Sequence, residues 1–265
     1  MPKTTNVSLY DLHARIRSPL ILGMLHLQSG DNVLDLGSGT GYFAEIMCTQ
    51  GASTFCLDIA LGNLRAIKQR KNRNLFLIHS EAEHLPCRDT SVNKVLCSEV
   101  LEHIEGDREA LKEITRILQP GGMLVITVPC SELRIPTLID LLGIKTVHDY
   151  EGPEKHCRKG YTIREISDLL TVSGLVVSNH AYFSHFFSQL VLDIISISHL
   201  LVRRIFFRQK AWHWADIQEL DTSVVFTLFK ILFPLCLLIS KLDKLFFLFS
   251  RAKGYGLAIK AKKPL

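Results

Sequence analysis

With 265 residues, 47% of them apolar, and a net charge of +5, the chain is long enough for one ordinary domain plus a sizeable addition and has ample material for a buried core. Its seven cysteines are scattered, without a Cys-x-x-Cys pair, which argues for a reducing compartment and against a disulfide framework or a zinc site. The basic excess is clustered: Arg203, Arg204, Arg208 and Lys210 form one group and Arg251, Lys253, Lys260, Lys262 and Lys263 another, both flanking apolar stretches. That pattern suits an anionic membrane surface better than a nucleic-acid groove, with plain solubilising surface cations as the alternative for the second group.

The first residues are polar and lack the apolar core of a signal peptide. Leu9 to Leu27 then shows helical apolar spacing, and Pro19 is expected to kink or divide that helix. From Asn32 onward strands and helices alternate, as in a parallel sheet with helices on both faces. Strands are expected near Asn32–Leu36, Ser53–Asp58, Leu75–His79, Lys94–Ser98 and Met123–Pro129, with helices over Tyr42–Thr49 and Asp107–Leu118 among those between them. Thr162 with Glu165 forms a capping box for a helix to about Val172, and Leu175–Ala181 reads as a sixth strand.

Val33 to Gly41 reads Val-Leu-Asp-Leu-Gly-Ser-Gly-Thr-Gly, a buried strand running into glycines at alternate positions. Gly37, Gly39 and Gly41 leave no Cβ in the way, so a ligand can rest on bare main chain at the carboxyl end of the first strand. The third glycine comes one position earlier than in the dinucleotide fingerprint Gly-x-Gly-x-x-Gly. Asp35 beside the loop would repel a pyrophosphate but suits an ammonium or sulfonium, and Asp58, ending the second strand, can accept both hydroxyls of a ribose. The pocket therefore reads as built for a nucleoside with a cationic amino-acid tail. The alternatives are a tight turn without a ligand and, for Asp58, a helix N-cap before Ala60.

Between the sixth strand and a seventh, Gly254–Ala261, lies a long insertion rich in Phe, Leu and Ile. Phe186 to Phe207 carries a polar stripe of Gln189, Asp193, Ser196, His199 and Arg203, and Thr222 to Phe249 is more apolar still, broken by Lys230, Pro234, Lys241, Asp243 and Lys244. Trp212, His213 and Trp214 between them resemble interfacial anchors. If the seventh strand rejoins the sheet, the insertion crosses a membrane twice or not at all. Interfacial helices are favoured, because Asp193, His199 and two adjacent arginines are costly at a bilayer centre. A transmembrane hairpin using Ser223–Ser240 and a soluble lid or dimer arm are the alternatives.

Four blocks carry a resemblance: Val33–Gly41, Glu81-Ala82-Glu83-His84-Leu85-Pro86, Ser98-Glu99-Val100-Leu101-Glu102-His103 and Leu118-Gln119-Pro120-Gly121-Gly122. Through them the chain resembles class I S-adenosylmethionine-dependent methyltransferases of the type 11 group that includes the ubiquinone and menaquinone methyltransferases, strongly over Val33–Val128 and more weakly over His156–Val177. The resemblance implies a Rossmann-like seven-stranded α/β sheet with helices on both faces, interrupted by the apolar helical insertion between strands six and seven. Residues 1–185 with 252–265 would form the cofactor domain and 186–251 the insertion.

It also implies site residues. Gly37, Ser38, Gly39 and Gly41 would approach the amino-acid portion of S-adenosylmethionine, with Asp35 orienting it. Asp58 would take the ribose hydroxyls, Ile59 would pack on the adenine, and Glu81 and Ala82 would read the adenine edge. Glu81 stands where the family usually has an aspartate, and a solvated loop charge is its alternative reading. Ser98 would face the methionine. His156, with Tyr161 near it, is the first candidate for a substrate-side base, and His103 the second; plain structural histidines are the bland reading of both. Glu99, Glu102 and His103, at i, i+3 and i+4, would share one helix face and could alternatively hold a divalent ion. His148 and Asp149 fit no pattern. The expected acceptor is hydrophobic or lipid-like, at the cytoplasmic face of a membrane, with no nucleic acid involved. A soluble small-molecule methyltransferase and a catalytically silent membrane-tethered binding module are the rival readings.

Overall fold

Short apolar runs, each stopped by glycine, aspartate or a polar turn, produce the strands of this chain, and amphipathic segments between them produce the helices. The structure, a computed structural model, describes residues 12–132, 136–143, 156–206, 224–243 and 253–265. Trp212, His213, Trp214, Arg208, Lys210, Lys244, Arg251, His148 and Asp149 lie outside the described residues. The described residues fall into two compact units.

The first unit draws on 18–131, 157–181 and 256–265 and carries the sheet. Strands β1 (Asn32–Leu36), β2 (Ser53–Asp58), β3 (Leu75–His79), β4 (Val92–Ser98), β5 (Leu118–Pro129), β6 (Val176–Phe183) and β7 (Gly256–Lys262) form one seven-stranded sheet in the order 3-2-1-4-5-7-6. β1 pairs in parallel with both β2 and β4, and β7 runs antiparallel to β5. Val33, Leu34, Val95, Leu96, Val125 and Ile126 are fully buried in the central strands, as expected where helices cover both faces. Strand order reverses between β1 and β4, so their carboxyl ends flank the crevice where open α/β sheets bind ligands.

Helices α2 (Tyr42–Thr49), α3 (Leu61–Lys68), α4 (Asp107–Ile117) and α6 (Ile163–Val172) connect the strands. The α6 capping box is present: Thr162 Oγ1 accepts the Glu165 N–H and the Glu165 carboxylate accepts the Thr162 N–H. The strand β5 starts earlier than its apolar run, at Leu118, because Leu118 pairs with Val92 across a register shift before Lys94. Pro19 does not divide the amino-terminal helix: α1 (Leu12–Leu25) runs through it, with Ile21, Met24 and Leu25 buried on the far side.

The second unit draws on 1–17, 132–156 and 182–255. It contains the short α5 (Leu138–Leu142) and the long helices α7 (Phe186–Phe206) and α8 (Val224–Ser240), which follow β6 and precede β7 in the chain. Leu12, Val191 and Phe233 form its core, with Ile16, Leu192, Ile195, Cys236, Leu237 and Ile239 packed around them. No described helix is long and apolar enough to cross a membrane, so the hairpin expected as an alternative over Ser223–Ser240 finds no support in α8.

The polar stripe of α7 also turns out differently. Asp193 is buried and accepts the Ile139 N–H at the start of α5 and the Gln189 amide, so it serves as an internal cap rather than facing solvent or headgroups. Asp243 does the same for α7: its two oxygens accept the N–H groups of His185, Phe187 and Ser188. These are donors that a helix start leaves without an intrahelical acceptor.

Candidate cofactor site

The loop after β1 holds Gly37, Gly39 and Gly41 at φ of 68°, 52° and 82°, all left-handed. The Gly37 and Ser38 N–H groups both donate to the Leu57 carbonyl of β2, at 2.8 and 2.9 Å. The three glycines are present for different reasons. A Cβ at Gly37 would lie 2.3 Å from Val100 Cγ2, and one at Gly41 2.8 Å from Ile67 Cγ1, so the protein's own packing requires both. A Cβ at Gly39 would meet nothing within 4 Å, which leaves its bare backbone facing open space.

Asp58 closes this loop from the end of β2. Its Oδ2 accepts the Gly39 N–H at 2.7 Å and the Asn63 amide at 3.2 Å, and its Oδ1 accepts the Ala60 N–H at 2.8 Å. The turn-capping contact with Ala60 and the tie to the glycine loop thus coexist, and a carboxylate with about four acceptor sites keeps capacity for a further donor.

Asp35 sits behind the loop at 2% exposure. Burial, reinforced by the Asp58 charge and opposed by the Ala44 N–H, pushes its pKa up to about 7. Asp35 Oδ2, Ser38 Oγ and Glu99 Oε1 are buried without a hydrogen-bond partner, all at or just beyond the adjacent strands β1 and β4. Orphaned groups of this kind cost about 1–3 kcal/mol each unless something supplies the missing bond. A ligand bearing cationic and hydroxyl donors fits this set, and the open space over Gly39 leaves room for it.

Around this centre, Ile59 is 65% exposed, as an apolar platform awaiting a partner would be. Glu81 is exposed and 3.8 Å from the His84 ring, while Ala82 is buried. Ser98 Oγ is hydrogen-bonded to Thr127 Oγ1 on β5 at 2.9 Å. Sequence reasoning missed Arg70, which follows α3: its guanidinium donates to the Thr40 and Gly41 carbonyls and to Glu45, fixing the glycine loop from outside. Those partners lie far away in sequence, and no local pattern marks the residue.

One acceptor-side expectation needs correction. Glu99, Glu102 and His103 do not share a helical face: Glu99 has a φ of 57°, and only Leu101–His103 form a single 3-10 turn. The residue after Glu99, Val100, lies over Gly37. Glu102 is buried and His103 half-buried, with the His103 carbonyl accepting the Cys157 thiol. Tyr161 is fully buried; its hydroxyl lies 3.0 Å from Asp107 and 3.2 Å from the Leu101 carbonyl, with Arg158 over its ring. Burial and the Asp107 charge raise its pKa. His156 is half-buried and belongs to the helical unit.

Comparison with known proteins agrees with this geometry. Residues 34–126 match the family described as a methyltransferase domain. The chain is similar to a demethylmenaquinone methyltransferase of Corynebacterium urealyticum, 36% identical over 102 residues, 38% of this chain and 43% of that one. It is also similar to a malonyl-[acyl-carrier protein] O-methyltransferase of Serratia marcescens, 30% identical over 121 residues, 44% and 47% of the two chains. The chain spans half or less of the length of the curated relatives it matches. An S-adenosylmethionine dependent methyltransferase from Mesorhizobium loti superposes with a TM-score of 0.60 over 95% of this chain and 99% of that one, at 17% identity, which establishes the fold. Residues 34–126 therefore match a methyltransferase domain, and the chain has the fold of the Mesorhizobium loti methyltransferase.

Proposed function

We propose that the whole protein transfers a methyl group from S-adenosylmethionine to a hydrophobic acceptor, such as a lipid, a quinone precursor or a prenylated intermediate, at the cytoplasmic surface of a membrane. The observation that carries the enzymatic half is the Gly39 backbone, open to space and tied to Asp58, beside three buried polar atoms that lack partners. The acceptor class rests on the demethylmenaquinone methyltransferase relative and on the apolar helices of residues 186–251.

The cofactor supplies, when bound, a methyl carbon made electrophilic by an adjacent sulfonium. The protein's part is to hold that carbon and the acceptor atom in line, since such a displacement needs orientation more than added reactivity. Asp58 takes a ribose hydroxyl on the acceptor site that Gly39, Asn63 and Ala60 leave open, Gly37, Ser38 and Gly39 face the amino-acid portion, and Asp35 in its ionised form offsets positive charge. Ile59 stacks on the adenine, and Glu81 and Ala82 read its edge. Where the acceptor must lose a proton, His156 is the first choice to take it and His103 the second. Residues 186–251 bring the site to the membrane, and the attachment is peripheral.

The test uses methyl-labelled cofactor with the purified protein and a membrane lipid extract, followed by mass analysis of the labelled product. Label in an apolar extractable compound is expected. Label only in small polar metabolites would overturn the acceptor class, and none in any fraction, with cofactor bound, would overturn catalysis.

A further inference from the structure

We infer that one face of α8 is the surface that enters the membrane, lying in a layer of anionic headgroups. This rests on the reading above that the protein works at a membrane and says which residues make the contact. Leu232, Leu235, Leu238 and Leu242 recur at helical spacing along α8 and its end, and are 43% to 61% exposed. Phe233, Cys236 and Leu237, turned away from most of that stripe, already pack in the core with Leu12 and Val191, and Ile239, between Leu235 and Leu232 around the helix, packs against it too. The helix is thus apolar on both sides, although folding needs only one. A stripe of leucines left in water has no role in holding this unit together, and exposed apolar patches of this kind mark interaction surfaces.

Charge decides the occupant. Residues 186–253 hold nine lysines and arginines (Arg203, Arg204, Arg208, Lys210, Lys230, Lys241, Lys244, Arg251 and Lys253) against five acids (Asp193, Asp216, Glu219, Asp221 and Asp243). Two of those acids, Asp193 and Asp243, are buried and spent on helix N-termini, and of the cations Lys253 is paired with Glu132 at 2.8 Å, so the segment keeps a net positive charge after both are set aside. Lys241 is exposed between Leu238 and Leu242 in sequence, at the polar margin of the stripe. A second copy of the chain is a poorer occupant. A two-fold contact through this stripe would set each copy's basic segment against its equal. An anionic bilayer takes up the exposed leucines and is favoured by the net positive charge of the segment and by the exposed Lys241. The depth is shallow, because no described helix can span.

The experiment sediments the full chain with vesicles of phosphatidylcholine alone and with vesicles of equal parts phosphatidylcholine and phosphatidylglycerol. Binding to the mixed vesicles is expected, weakened by salt. The pair Leu235→Glu with Leu238→Glu is expected to lower partitioning by about tenfold or more, and the milder pair Leu235→Ser with Leu238→Ser to lower it less. Calorimetry with S-adenosylmethionine and the circular dichroism melt report whether each variant is folded. A wild-type protein that ignores both vesicle types overturns the inference. So does a folded double variant that binds as well as wild type, or a wild-type dimer in sedimentation velocity that the double variant converts to monomer. Methylation of an apolar acceptor in detergent by a protein that ignores vesicles would remove this surface and leave the proposed activity standing. Vesicle binding without methylation would do the reverse.

Discussion

Asp58 accepts the Gly39 N–H at 2.7 Å, joining the end of β2 to the one loop glycine whose missing side chain opens on free space. The same carboxylate takes the Ala60 N–H and the Asn63 amide, so one side chain fixes the loop and the turn after β2. Asp58→Ala removes the tie and the proposed ribose acceptor together. Loss of a charged hydrogen-bonding group is worth about 1.5–3 kcal/mol, so calorimetry is expected to show S-adenosylmethionine affinity falling by about 10- to 150-fold. Asp58→Asn keeps one acceptor oxygen and is expected to fall between the two.

The three loop glycines separate packing from binding. Gly39→Ala meets no protein atom and bears only the left-handed strain of about 1–2 kcal/mol. It should leave a folded protein that binds the cofactor at least tenfold more weakly. Gly37→Ala drives into Val100, and Gly41→Ala into Ile67, so both should lower the unfolding free energy further, by about 1–3 kcal/mol beyond the strain. Chemical denaturation alongside calorimetry distinguishes the patterns.

Asp35 gives the protein a pH signature. Burial chiefly, with help from the Asp58 charge, raises its pKa from 3.8 to about 7. Below the lower value the group is protonated whether the chain is folded or not. Between the two, the folded protein holds a proton that the unfolded chain has released, so stability falls as pH rises through this window and levels off above about 7. Denaturant midpoints of the ligand-free protein from about pH 5 to about pH 8 should show that slope, and Asp35→Asn should flatten it. Cofactor affinity should move the opposite way, rising with pH as the carboxylate ionises.

The elements that the sequence announces are those closed by local chemistry. β1, β2, β3 and α2 appear with the bounds their apolar runs imply, because glycine, aspartate or a polar turn stops each one. α6 appears where Thr162 and Glu165 place it. What stays hidden depends on partners distant in the chain. Arg70 reads as one more surface cation until its guanidinium is seen on the Thr40 and Gly41 carbonyls. Asp193 and Asp243 read as outward polar residues until the N-termini of α5 and α7 are seen resting on them. Glu99 looks helical in an i, i+3, i+4 pattern, but it is left-handed and Val100 beyond it lies over Gly37, a contact with a distant glycine that no local spacing marks. The acceptor side is quiet because methyl transfer asks for alignment, which leaves no fixed spacing of reactive side chains to find.

Arg70→Ala should loosen the glycine loop without emptying the crevice of its binding groups. The guanidinium touches the Thr40 and Gly41 carbonyls and Glu45, and of these only Gly41 is expected to approach the cofactor. Affinity is expected to drop about tenfold, with faster hydrogen exchange at the Gly39 and Gly41 amides. Arg70→Lys, which cannot reach three acceptors with one planar fork, should recover only part of it. An unchanged affinity would mean that the loop holds its shape without the clamp.

Asp243 closes the helical unit on itself. It lies just beyond α8, yet its oxygens take the N–H groups of His185, Phe187 and Ser188 at the start of α7. Gly254 continues the closure: a Cβ there would lie 2.3 Å from the Phe183 carbonyl, and the Tyr255 N–H donates to the Ser184 carbonyl at 3.0 Å. The segment therefore leaves and returns at one point. Removing a side-chain cap costs about 0.5–2 kcal/mol, and here three N–H groups lose their acceptor at once, so Asp243→Ala should fall at or above the upper end. The loss should be local. Limited proteolysis is expected to cut within 186–253 many times faster, while calorimetry shows cofactor affinity within about twofold of wild type. Asp243→Asn, which keeps one acceptor oxygen, should be intermediate. Equal protease resistance in wild type and Asp243→Ala would mean that the apolar core around Leu12, Val191 and Phe233 holds α7 and α8 together unaided.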